Sequence, residues 1–187
     1  MTMVPELAER RARRGISADP IPDEVIARLL EAATLAPSCF NNQPWRFVAV
    51  SGEKLDSVKA ALTEGNRWAT RAPLIVAFAT KPSLDCRNDA GRDYAFFDLG
   101  MAAMAFMAQA THEGLVAHPI AGYSPAKAAK AIELEQDFVL VTLVIVGRPS
   151  GDQSLLAEWQ LARERGPRER KPLGEVAYRE VFGRAWT

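Results

Sequence analysis

Twelve consecutive positions, Ala36-Pro37-Ser38-Cys39-Phe40-Asn41-Asn42-Gln43-Pro44-Trp45-Arg46-Phe47, hold the most concentrated chemistry in this chain of 187 residues. Pro37 and Pro44 fix φ and remove two backbone donors, which stiffens the loop. From that frame Ser38, Asn41, Asn42 and Gln43 offer donors and acceptors beside aromatic rings. Such a loop suits a flat aromatic ligand with a polar edge, because amides can read the edge while apolar groups cover the face. A local reading also fits. Pro, Ser and Asn serve turns on their own account, and Trp45 and Phe47 can simply open a core strand.

Charge gathers at the two ends. Arg10, Arg11, Arg13 and Arg14 crowd one, and Arg163, Arg165, Arg168, Arg170 and Lys171 crowd the other. The clusters can converge on one anion, or remain two solvated segments. Over the whole chain 23 basic residues balance 23 acidic ones. Bulk charge therefore points to neither nucleic acid nor an anionic membrane. Cys39 and Cys86 form no disulfide framework and no metal-ligand spacing, so no metal site is expected. Cys39 reads as a packing residue, and Cys86 as part of an exposed loop with Asp85, Arg87, Asn88 and Asp89. His118, beside Pro119 in an apolar stretch, reads as a structural or exposed histidine rather than as an acid or base. With no apolar leader and no run of about twenty apolar residues, a soluble cytoplasmic protein without a membrane partner is expected.

These groups need a scaffold. Residues 6–14 read as helical, which would place Arg10 and Arg14 on one face. Pro22, Asp23 and Glu24 open a second helix, with Val25, Ile26, Leu29, Leu30 and Ala33 on its apolar face and Pro37 at its end. Phe47–Val50, Leu74–Thr80 and Phe138–Val146 read as strands, the second buried on both sides. Ala95–Ala110 is apolar nearly all round, so it must be covered on every side, and a second subunit is a natural cover. Ser124-Pro125 caps a helix running to about Leu134. The elements mix without strict βαβ alternation, and no Rossmann or P-loop glycine pattern occurs, so the fold class is α+β. By length the chain is a single domain.

The Ala-Pro-Ser, Asn and Gln-Pro-Trp spacing of residues 36–47 resembles the signature of the nitroreductase family of FMN-dependent NAD(P)H oxidoreductases. The upstream run Arg10–Ile16 and the run Arg168-Glu169-Arg170-Lys171-Pro172-Leu173 extend the resemblance over nearly the whole chain. It implies a mixed, mainly antiparallel sheet wrapped by helices in an intertwined homodimer. Residues 150–187 would form a C-terminal extension contacting the partner, with Val176, Tyr178, Val181, Phe182 and Trp186 apolar enough to do so.

By the same resemblance, Arg10, Arg11 and Arg14, with Arg168 and Arg170 on one side of an extended strand, would seat the FMN phosphate. Arginine suits this because its planar fork binds two oxygens at once. Pro37, Ser38, Cys39 and Asn41 would contact the neighbouring subunit's flavin, with Gln43 close behind. Asn66 would read the pyrimidine edge, and Ala121 and Gly122 would bring backbone to flavin N5. The chain departs from the family pattern at two positions. Ala12 replaces a serine of the phosphate seat, and Ala121 replaces an acidic residue found in many members. The implied activity is hydride transfer from NAD(P)H through flavin N5 to a nitroaromatic, quinone or activated alkene, in ping-pong turnover, with no catalytic side chain. A flavin-binding sensor or carrier is the alternative, and a phosphate- or nucleic-acid-binding module built on the terminal arginines is a third reading.

Overall fold

Leu74–Thr80 (β2) organises the molecule by sending alternate side chains into two cores. Leu74, Val76 and Phe78 enter one, Ile75 and Ala77 the other, and every residue of the strand is buried. Pleating gives the alternation, and two covered faces explain a run with no exposed polar position. The computed structural model describes residues 3–86 and 89–186. Arg87 and Asn88 of the expected exposed loop, and the last residue of the expected 150–187 extension, lie outside them.

β2 pairs with Trp45–Val50 (β1) and with Val139–Gly147 (β4), and β4 pairs with Val116–Ile120 (β3). The order is β1-β2-β4-β3, antiparallel at every pairing. On one face lie Asp23–Thr34 (α2) and Tyr94–His112 (α4). Ile26, Leu29 and Ala33 form the buried stripe of α2, as the spacing predicts. Phe78 meets Phe106 of α4 edge-on, with ring centres 5.4 Å apart. Truncating such a fully buried ring to Ala would cost about 3–5 kcal/mol. The second face is covered by Leu55–Lys59 (α3), the 3₁₀ stretch Glu64–Arg71 and Pro125–Ala131 (α5), with Trp68, Val58 and Ala128 fully buried. The α+β architecture is as expected, and its sheet is antiparallel throughout the described strands.

Four expectations need correction. The N-terminal helix α1 spans only Pro5–Glu9, and Arg10 already has an extended ψ of 125°, so Arg10 and Arg14 do not share a helical face. Arg168 and Arg170 follow the helix Glu158–Arg165 (α6) in irregular chain rather than in a strand. α5 stops at Ala131, short of Leu134. Cys39 and Cys86 are joined in a disulfide, with Cα atoms 6.2 Å apart, where separate thiols were expected.

Helix α4 buries Ala95, Leu99, Ala102, Phe106 and Ala110, a single stripe at helical spacing, while Phe97 stands exposed. The rest of its apolar circumference is only half-covered within one chain. A short helix Leu173–Val176 (α7) closes the ordered elements. Among the described residues no helix is long and apolar enough to cross a membrane.

Candidate anion and ligand site

The two basic ends of the chain do converge. Arg10, Arg11 and Arg14 line one side of a cleft of about 520 Å³, and Arg163, Arg168 and Arg170 line the other. Among the described residues, none of Arg10, Arg11, Arg14, Arg168 and Arg170 forms a salt bridge. Burial, then the charges of Arg168 and Arg170, push the Arg10 guanidinium below its ordinary value. Burial also lowers Arg14, opposed by Glu164 and assisted by Arg163. Six arginines against one lining carboxylate, Glu169, leave an excess of positive charge that favours a polyanionic ligand, and several planar forks favour phosphate.

The residues from Arg10 to Gly15 are held by partners far along the chain, which is why they leave the helix. Arg168 Nη1 donates to the carbonyls of Arg10 (2.8 Å) and Leu7 (3.2 Å). Arg11 Nη2 donates to the Gly166 carbonyl at 2.7 Å. The buried Glu164 carboxylate accepts the N–H of Arg14 at 3.0 Å and of Gly15 at 3.3 Å. At Gly15 an added Cβ would lie 2.6 Å from the Ser150 carbonyl oxygen, so only glycine fits there. His118 lies within hydrogen-bond distance of the Arg13 carbonyl through Nδ1, at 2.9 Å, so that nitrogen carries the proton. Its ring packs 4.8 Å from Trp68, and burial lowers its pKa to about 4. It is a neutral structural histidine, as expected.

Trp159 of α6 adds a wall that sequence reasoning passed over. The Arg14 guanidinium sits 5.5 Å from its ring centre, and the half-exposed indole also lines a neighbouring cleft with Gly65 and Arg67. α6 is anchored there because Gln160 Nε2 donates to the Gly65 carbonyl at 2.8 Å. Gln160 and Glu164 are four apart and both buried, a polar face indistinguishable in sequence from an ordinary solvated one.

Asn66 and Gly122, also expected at the site, meet directly. Asn66 Nδ2 donates to the Gly122 carbonyl at 2.9 Å, and Trp68 Nε1 donates to Asn66 Oδ1 at 3.2 Å. Thr63 adds its hydroxyl to the same carbonyl at 2.8 Å. Asn66 thus positions the 120–123 segment, leaving one N–H and one lone pair of its amide for anything else. Ala121 is exposed beside it.

Pro37, Asn41 and Gln43 are exposed, and Ser38 and Cys39 are half-buried. The Ser38 hydroxyl accepts the Gln43 N–H at 2.9 Å, and the Cys39 N–H donates to Asp98 at 2.8 Å. Phe40, Asn41 and Gln43 have φ of 49°, 58° and 49°, a left-handed backbone that L residues rarely adopt. Trp45 is buried at the start of β1, so for this ring the local reading holds. None of these loop residues lines the arginine cleft of the same chain.

The structure thus combines an antiparallel α+β scaffold, a cationic cleft and a stiff, amide-rich loop. The chain belongs to the nitroreductase family, whose family model matches residues 7–72 and 56–148. It is 30% identical over 119 residues to a nitrobenzene nitroreductase of Ectopseudomonas oleovorans, covering 49% of this chain and 52% of that protein. It is 38% identical over 71 residues to an NADH dehydrogenase of Thermus thermophilus, covering 36% of this chain and 33% of that one. The chain therefore matches about half or less of the length of these curated relatives. Among solved structures it is similar to an oxidoreductase containing FMN, with a TM-score of 0.86, 28% identity, and coverage of 98% of this chain and 94% of that one.

Proposed function

We propose that this chain is an FMN-dependent oxidoreductase that draws electrons from NAD(P)H and passes them to a nitroaromatic, a quinone or an activated alkene. The observation that carries the reading is the convergence of six arginines on one cleft whose lining includes a single carboxylate residue among the described residues, Glu169. That donor set fits a phosphate monoester, as FMN carries, better than it fits a neutral ligand. FMN, when bound, would supply the redox chemistry itself, accepting a hydride equivalent and releasing it to the acceptor.

The protein's own part is to hold and to screen. Arg10, Arg11, Arg14, Arg168 and Arg170 seat the phosphate. Ala12 offers no hydroxyl, so this seat relies on guanidinium and backbone donors. Asn66 and Thr63 fix the Gly122 carbonyl, holding the Ala121–Gly122 backbone where the ring would lie. Ala121 has no carboxylate to hold a proton, so the proton for the acceptor comes from water. Donor and acceptor would share one space in turn, which gives ping-pong kinetics.

The loop Pro37–Gln43 would serve the flavin of a second chain in a homodimer, with the 150–187 extension crossing to the partner. Support comes from the exposed Phe40 (92%) and Phe182 (91%) and from the half-covered circumference of α4. Burying such side chains favours association.

The test is the absorption spectrum of the purified protein, with the released chromophore identified by mass, followed by NADH and NADPH oxidation with a quinone. A flavin band near ~450 nm with FMN released and acceptor-dependent turnover is expected, since a tight site retains its ligand. Bound FMN without turnover would favour the sensor or carrier reading. A colourless protein that takes up no FMN would remove the assignment.

A further inference from the structure

Outside the arginine cleft, one cluster holds sulfur chemistry that the proposed activity does not use. Cys39 and Cys86, 47 residues apart, form a disulfide between the ligand loop and the segment after β2. Both cysteines are half-buried. A carboxylate oxygen of Asp85 lies within 4.8 Å of both sulfurs. Asn42 Nδ2 donates to Asp85 Oδ1 at 3.1 Å and approaches Cys86 Sγ at 3.7 Å. The Cys86 N–H donates to the same Asp85 oxygen at 2.7 Å. Asp98, 1% exposed, accepts the Cys39 N–H and neighbours the Asp85 carboxyl. Asp85 Oδ2 is buried and receives no N–H or O–H donor among the described residues. The buried Asp98 carboxyl and the half-buried Asp85 carboxyl thus lie together beside the disulfide. Burial, and then Asp85, push the Asp98 carboxyl above its ordinary range, against the Cys39 N–H, which lowers it.

A disulfide that only staples the fold needs no amide and no pair of carboxyls at its sulfurs. We propose that Cys39–Cys86 is a reversible two-electron centre, opened by a dithiol, whose state sets the shape of the loop Ser38–Gln43. One thiolate of the dithiol attacks Cys39 Sγ, forming a mixed disulfide and breaking the bond to Cys86. Cys86 leaves as thiolate beside the Asn42 amide and takes a proton from solvent. The second thiolate of the dithiol then attacks the dithiol's own sulfur in the mixed disulfide, and Cys39 leaves and is protonated. The protein disulfide gains two electrons, the dithiol becomes a cyclic disulfide, and the two protons that the dithiol loses are balanced through solvent by those that Cys39 and Cys86 gain.

The consequence for the loop is geometric. Its left-handed residues Phe40, Asn41 and Gln43 immediately follow Cys39, and that backbone is unfavourable for L side chains without an outside constraint. The disulfide and the Asp98 hydrogen bond are that constraint. Opening the bond would release the turn, withdrawing Asn41 and Gln43 from their positions. That this alters flavin or acceptor binding rests on the function proposed above, whereas the redox chemistry and loop release do not.

The experiment treats full-length protein, stripped of ligand, with dithiothreitol without denaturant. Maleimide labelling followed by mass counts the thiols, and hydrogen exchange follows the amides of residues 38–43. Before reduction no label is expected. After reduction the folded protein should take two labels, and exchange at 39–43 should rise about tenfold or more while β2 stays protected. The double variant C39S/C86S should exchange as the reduced protein does and ignore the dithiol. Free thiols before reduction, opening only in denaturant, or unchanged exchange after opening would each overturn the proposal. If the variant does not fold, the oxidised and reduced wild-type forms still decide it. None of these readouts uses FMN, so a failure of the cofactor assignment stays distinguishable.

Discussion

The carboxylate of Glu164 accepts the backbone N–H of Arg14 at 3.0 Å across 150 residues of sequence. With its bond to Gly15, this contact fixes the C-terminal end of the arginine turn. Glu164 therefore shapes the anion cleft without lining it. Replacing it with glutamine leaves one oxygen to serve two donors and removes the charge assistance. Losing a buried, charge-assisted hydrogen bond costs about 1.5–3 kcal/mol. E164Q should lower thermal stability and weaken FMN binding roughly tenfold by fluorescence titration. Wild-type affinity in a destabilised E164Q would show that the turn does not depend on this clamp.

His118 predicts a pH dependence. Its folded pKa is about 4 against an ordinary 6.5, chiefly through burial. The Arg13 carbonyl and Glu164 oppose that shift, while Arg14 and Arg10 assist it. Between those values the unfolded chain binds the proton and the folded one does not, so stability is complete above about pH 6.5 and falls as the pH drops toward 4. The full effect is about 3 kcal/mol. Urea midpoints measured from pH 7 to 4 should decline in the wild type and decline less in H118Q. Parallel slopes in the two proteins would assign the decline to other groups.

The pattern of the sequence showed the parts whose cause is local. The run Leu74–Thr80 became β2 to the residue, because continuous apolarity over seven positions suits a strand covered on both faces. Ser124 caps α5 by accepting the Lys127 N–H, as its type and place suggest. The reading of residues 10–14 as helix failed because its cause is not local. Four-residue spacing of Arg10 and Arg14 is compatible with a helix, but Glu164, Arg168 and His118 bind that backbone from the far end of the chain and from β3. The Cys39–Cys86 pairing was hidden for the same reason, since two cysteines 47 residues apart carry no pattern. The terminal arginines did converge, and their excess over the one acidic residue lining the cleft, Glu169, was not readable before the fold brought them together.

Gly122 predicts a steric test of the segment beside Ala121. A Cβ there would lie 2.4 Å from Asn66 Nδ2 and 2.9 Å from Thr63 Oγ1. G122A must displace at least one of three donors that converge on its own carbonyl. Overpacking of this kind costs about 1–3 kcal/mol. The denaturant midpoint should fall accordingly, and N66A should partly relieve the loss, because it removes the closest contact. Additive losses in G122A/N66A would place the clash elsewhere.

Arg170 separates ligand binding from folding. Among the described residues its guanidinium hydrogen-bonds only its neighbour's carbonyl, that of Glu169, and its charge disfavours the Arg10 cation across the cleft. Removing it takes nothing from the core and relieves repulsion among like charges. R170A without ligand should therefore unfold at the wild-type denaturant concentration or slightly above it. A guanidinium–phosphate contact is worth about 1.5–3 kcal/mol, so FMN affinity should fall roughly tenfold or more. The cleft is open to water, so wild-type affinity should also weaken with added salt, and less steeply in R170A. Adding R14A should deepen the loss of affinity, with some loss of stability from the Trp159 contact. Unchanged FMN affinity in R14A/R170A would place the phosphate elsewhere, whatever happened to stability. Folding alone has no need of so many cations drawn together from both ends of the chain.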